Sequence, residues 1–179
     1  ANDGYQLSNS GYTIASETNS TRLNLRTVFG RRFTNELVVG LTTVRDARTL
    51  ANRIPRIVVN GDRCASLTAL NLATCTNILA AGAERSSMAN TLDQDIIEVT
   101  DNLTFPVGSH LFTLGTHNEF FKFNNLFLQN AFGTWWFANA DSLAAGAPYQ
   151  YSAALELRED AGRAKMNVKQ LGVYLQDRW

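Results

Sequence analysis

Long apolar runs are missing from this chain: nowhere do about 18 consecutive hydrophobic residues occur, so a membrane-spanning helix is excluded. Charge is scarce as well. Lys and Arg together number 16, Asp and Glu 16, and charged residues make up only 18% of the 179. A soluble domain carries about a quarter. Zero net charge removes the basic excess of a nucleic-acid binder and any polybasic membrane-surface signal. With two His and two Cys, the C-x10-C pair Cys64 and Cys75 has no further Cys or His close by to complete a zinc site. No nucleophile elbow, phosphate loop or Ser-His-Asp order occurs, and the chain reads as a non-enzyme with no cofactor. Initiator Met and signal peptide are also lacking, and the last residues fall inside a patterned segment, so a piece of a larger domain is expected.

Alternation is what is present. In Thr21–Phe29, Leu23, Leu25 and Phe29 share one parity while Arg22, Asn24 and Arg26 share the other. Such a period of two predicts a strand between two different environments. After Gly30-Arg31-Arg32, the run Phe33–Val44 sets Leu37, Val39 and Leu41 against Glu36 and Gly40, completing a hairpin. Gln94–Leu103 sets Ile97 and Val99 against Gln94 and Glu98, although Ile96 and Asp101 break the rule. Beyond a turn at Phe105-Pro106-Val107-Gly108, Ser109–Glu119 sets Phe112 and Leu114 against Thr113, Gly115, His117 and Glu119. Tyr149–Arg158 and Ala164–Gln176 read as a last antiparallel pair, with Leu171, Val173 and Leu175 opposite Gln170, Gly172 and Tyr174.

Between these runs the pattern dissolves twice, over residues 45–92 and 120–148. A compact soluble domain seldom contains such long irregular connections, whereas outer-membrane barrels have them on the extracellular side and short turns on the other. Phe29, Phe33, Phe105 and Trp179 lie at the short-turn ends, where an aromatic girdle belongs. The expected fold is therefore all-β, an antiparallel transmembrane β-barrel segment with long extracellular loops. The competing architecture is a soluble antiparallel sandwich, which alternation alone does not separate from a barrel wall. In the barrel reading, the apolar sets face lipid and the polar sets line the lumen. In an oxidising compartment Cys64 and Cys75 are expected to form a disulfide within the first loop.

Three readings of chemistry compete with lumen lining. His117 and Glu119 on one strand face suggest a metal site, but two ligands are too few, and His110 has the opposite parity. Glu36, Asp95 and Glu98 suggest paired carboxylates, with nothing in the sequence to fix their separation. Phe120–Phe123, the neighbouring Asn residues and Trp135-Trp136 suggest a sugar-stacking surface, or simply loop packing near the interface.

Several segments also carry a family resemblance. Thr116-His-Asn-Glu-Phe-Phe-Lys-Phe-Asn-Asn-Leu-Phe127 resembles a strand and loop of the Oar-like TonB-dependent transporters. Gln170-Leu-Gly-Val-Tyr-Leu-Gln-Asp-Arg-Trp179 is similar to the strand before a periplasmic turn in TonB-dependent receptors, and Asn35–Gly40 and Asn90–Thr104 fit in order. The resemblance implies a barrel of roughly 22 strands, of which about four to six are here, occluded by a plug. It implies outer-membrane lipid, the TonB complex and an unknown transported ligand as partners, with no nucleic acid. The plug and the TonB-contacting parts are not among these residues. A passive porin or adhesin barrel and a soluble secreted carbohydrate-binding module are the alternatives.

Overall fold

A computed structural model of the chain describes residues 5–61 and 77–179. Cys64 and Cys75, with their expected disulfide, lie outside the described residues. Among the described residues ten strands follow one another: β1 (Tyr5–Gln6), β2 (Tyr12–Phe29), β3 (Phe33–Leu50), β4 (Arg56–Asn60), β5 (Asn77–Ala81), β6 (Asn90–Val107), β7 (His110–Phe127), β8 (Thr134–Phe137), β9 (Gln150–Ser152) and β10 (Arg163–Arg178). One short helix, α1 (Ala140–Ala144), sits between β8 and β9. No helix among the described residues is long and apolar enough to cross a membrane.

Five long strands form one sheet in the order β10-β7-β6-β3-β2. Four of them run for 18 residues. At ~3.3 Å per residue that is roughly 58 Å, about twice what 9–11 residues need to cross a bilayer. Short turns join β2 to β3 and β6 to β7. Gly30 (φ +62°) and Gly108 (φ +60°) take the left-handed conformation that such tight reversals require. Side-chain pairs across the strands fix the antiparallel register. Ser20 meets Thr42 on β2 and β3, and Thr104 meets Thr113 and Thr100 meets His117 on β6 and β7. Phe33 stacks against Phe105 between β3 and β6, and Thr116 donates to the Gly172 carbonyl between β7 and β10.

The strands overrun the boundaries that alternation implied. β3 continues past Val44 to Leu50, and β7 runs through Phe120–Phe127, which read as loop. The turn after β6 is Gly108-Ser109, and Pro106 lies within the strand. Tyr149–Arg158 does not pair with the last strand. Only Gln150–Ser152 is extended; it joins β8, while β10 lies beside β7.

The described parts of the two long connections are ordered into strands. They supply β4, β5, β8, β9 and α1, and with β1 build a second five-stranded sheet in the order β1-β5-β4-β8-β9. β4 runs parallel to β8, with Ile57 opposite Trp135, and antiparallel to β5. Buried Val58, Val59, Ala80, Ala83, Met88 and Phe137 form its core. Asn139 caps α1 by accepting from the Ser142 N–H at 2.9 Å, while the Ser142 hydroxyl accepts from the Asn139 N–H at 3.1 Å. Gly82 (φ +81°) passes so close to the Pro55 carbonyl that a Cβ has no room.

A carboxylate organises the turn that follows. Glu84 accepts from the Ser87 hydroxyl at 2.6 Å and from the Ser86 N–H at 3.0 Å. Burial alone would raise its pKa. The two hydrogen bonds outweigh that, aided by the Arg56 and Arg48 charges, and hold it below the ordinary carboxylate value. A depressed carboxyl stabilises the fold above its unfolded pKa, and that contribution disappears as pH falls through the lower folded value. Amides of residues 84–90 should therefore exchange faster at about pH 3 than at about pH 7 once intrinsic rates are divided out. Glu84→Gln should cost about 1–3 kcal/mol of local stability at neutral pH and remove that acid sensitivity.

Candidate functional site: a hydrogen-bonded polar sheet face

Within residues 16–46, 92–125 and 164–179, strand parity places almost all the expected lumen residues on one face of the long-stranded sheet. Glu98 stands at the centre. The Arg22 guanidinium lies 3.4 Å from both its carboxylate oxygens, and the His117 ring 3.8 Å away. His117 Nδ1 is 2.8 Å from the Thr100 hydroxyl, and its Nε2 lies 3.9 Å from Glu119. Glu36 accepts from the Asn24 amide at 2.9 Å. The Tyr174 hydroxyl donates to Asn102 Oδ1, and Thr113 shares a hydrogen bond with Thr104 at 3.0 Å.

The glycines have a definite part in this face. Gly115 leaves the space in which the Tyr174 ring and the Asn102 amide meet; any Cβ there collides with both. A Cβ on Gly40 would touch Glu98, and one on Gly172 would stand 3.2 Å from the His117 carbonyl oxygen. Two expected members contribute less. Gln94 offers its backbone carbonyl to Arg45, and Gln170 is exposed on β10. Arg22, Asn24, Thr100, Asn102 and Thr104, which the sequence alone does not single out as site residues, join the same face.

The opposite face is apolar over a limited height. Leu41, Ile97, Leu114, Leu171, Val173 and Leu175 are exposed, and Leu37 and Val39 are half-buried. At the short-turn end a row of rings closes the band: Phe33 to Phe105 at 6.0 Å, Phe105 to Phe112 at 5.9 Å, and Phe112 to His110 at 5.8 Å. His110 lies on this face, 2.7 Å from Asp177, apart from His117. At the other end Arg45 pairs with Asp95 at 2.5 Å and Asp93 at 3.9 Å. Asp101, which broke the alternation, does fall on this face, where its carboxylate accepts from Asn35 at 2.7 Å.

The face therefore offers charge pairs and hydrogen bonds in extended rows, without a pocket of converging acid, base and nucleophile. Asp95 points to the opposite face from Glu36 and Glu98, so those three carboxylates do not converge. Among the described residues no three His, Cys, Asp or Glu side chains are grouped closely enough to hold a metal ion. What the geometry builds is a wall with two unlike sides, an apolar band bounded by rings at one end and charges at the other. The family comparison agrees with that wall: a family model described as an outer membrane beta barrel domain matches residues 2–179. The chain belongs to the outer membrane beta barrel family. No curated protein and no solved structure matches it. Membership places the barrel in the outer membrane of a Gram-negative bacterium, in contact with that membrane's lipid.

Proposed function

We infer that this chain is part of the wall of a TonB-dependent transporter of the Oar-like type, with the Glu98 face toward the lumen and the Val173 face toward lipid. The observation that carries the reading is the overrun of the strands. From the Phe33 row to the Leu41 row is nine residues, the length of a transmembrane barrel strand, yet β3 continues to Leu50. Strands that rise so far past the apolar band, with connections folded into a sheet and core of their own, suit a receptor that captures its ligand above the membrane. The lumen assignment follows from chemistry. Arg22, Glu98, His117 and Glu119 satisfy one another in rows and would be costly to place in hydrocarbon. The Thr116–Phe127 and Gln170–Trp179 blocks carry the resemblance to TonB-dependent transporters. The coupling to TonB belongs to parts outside residues 1–179.

The test uses the complete protein that contains this chain. It should capture the purified periplasmic domain of TonB and show no steady ion conductance in a planar bilayer, because a plug fills the lumen. Stable open conductance without TonB capture would instead make it a passive porin.

A further inference from the structure

Where the apolar band ends, away from the short turns, the Val173 face carries a groove of about 620 Å³. Leu41, Ile97 and Phe120 give it an apolar floor, and Lys122 and Lys169 stand at its edge. Their partners matter. Arg45 and Asp95, which also line it, are bound to each other, and Asp93 adds a second carboxylate to Arg45. Lys122 and Lys169 are exposed and have no carboxylate partner among the described residues. Two free ammonium groups beside an apolar floor call for an amphiphile: an anionic head on the lysines and a hydrocarbon chain on Leu41, Ile97 and Phe120. Lysine suits such a head because it binds phosphate as a point charge, and its stem covers apolar surface while the ammonium reaches upward.

We propose that this groove binds the phosphorylated headgroup of an outer-leaflet lipid, with an acyl chain lying down the strands beneath it. The proposal rests on the reading that this face meets lipid. The leaflet follows from topology: the groove is at the strand ends that lead into the long connections, the outer side in barrels of this kind. A soluble anion would gain nothing from the apolar floor. A neutral lipid would leave both lysines without a counter-charge at the level where they leave the hydrocarbon.

Native mass spectrometry of the complete barrel protein provides the test, with bis-phosphorylated lipid A, dephosphorylated lipid A and inorganic phosphate as probes. The wild type should hold the phosphorylated lipid at least about tenfold more tightly than the dephosphorylated one. K122Q/K169Q should erase that preference, K122R/K169R should keep it, and inorganic phosphate should not compete. Equal binding of the two lipids, a preference that survives K122Q/K169Q or is lost with the arginines, or displacement by inorganic phosphate would each overturn the proposal. A fluorophore on Val173→Cys in bilayers of brominated lipid separates this from the face reading. Quenching there with no lipid preference defeats the groove alone, whereas an unquenched label defeats the face assignment and the groove with it.

Discussion

Arginine in place of Val173 should destabilise the complete barrel by about 2–4 kcal/mol, the cost of a cationic side chain near the bilayer midplane on a lipid-facing strand position. Val173 is 80% exposed, lies between Leu171 and Leu175 in alternation, and sits within the apolar band between the aromatic row and the Leu41 row. From that depth an arginine reaches neither boundary without bending its stem away from the strand or thinning the bilayer. Gln170→Arg provides the paired control on the other face, beside Glu119, and should fall within about 0.5 kcal/mol of the wild type. Folding free energies come from reversible denaturant titration into lipid vesicles. Equal costs at the two positions would mean that neither face meets lipid. A larger cost at Gln170 would mean that the sheet is inside out, since a shift of one residue exchanges the whole of one face for the other.

Which residues share a face was legible because parity is a local property. Glu36, Glu98, Gly115, His117 and Tyr174 came together across four strands from alternation alone, and the hydrogen bonds of Glu98, His117 and Tyr174 obey it. Strand ends were illegible for a physical reason. Past Leu41 and Ile97 the contrast turns over: Arg45, Asp93, Asp95 and Lys122 occupy positions that are apolar lower down, while Val44, Ile96, Phe121 and Phe123 fall on the other face. A strand that has left the hydrocarbon no longer keeps its apolar residues on one parity, so it reads as loop although its backbone ladder continues. The second sheet was hidden by distance. β4 and β8 pair in parallel across some 75 residues of sequence, as Arg56 opposite Thr134 and Val59 opposite Phe137. Its strands are two to five residues long, too short for a period to show. Tyr149–Arg158 was paired with the last strand because the two are neighbours in sequence. The partner it takes, β8, precedes it in the chain and offers Trp135, whose ring lies 4.2 Å from that of Tyr151.

Expressed on their own without detergent, residues 1–179 should aggregate and show no cooperative unfolding transition. The reason lies at the two borders of the long-stranded sheet. Among the described residues β2 and β10 each pair on one side only, so each presents a long row of unmatched N–H and C=O groups. In hydrocarbon those groups must be paired, and five strands are fewer than the eight of about the smallest closed barrels. In water the edges persist and the apolar face is added to them: Leu171 at 70%, Val173 at 80% and Leu175 at 66% exposure form a continuous patch on an open strand. The second sheet has only the small core of Val58, Val59, Ala80 and their neighbours, too little to offset a patch of that kind. The complete barrel, refolded into detergent micelles, should by contrast be monodisperse and unfold cooperatively, since further strands match both edges. Size-exclusion chromatography with light scattering and a thermal melt of the isolated segment decide the matter. A monodisperse monomer with a sharp transition would mean that the Val173 face is covered within the segment itself, and would favour the soluble carbohydrate-binding module over a barrel wall.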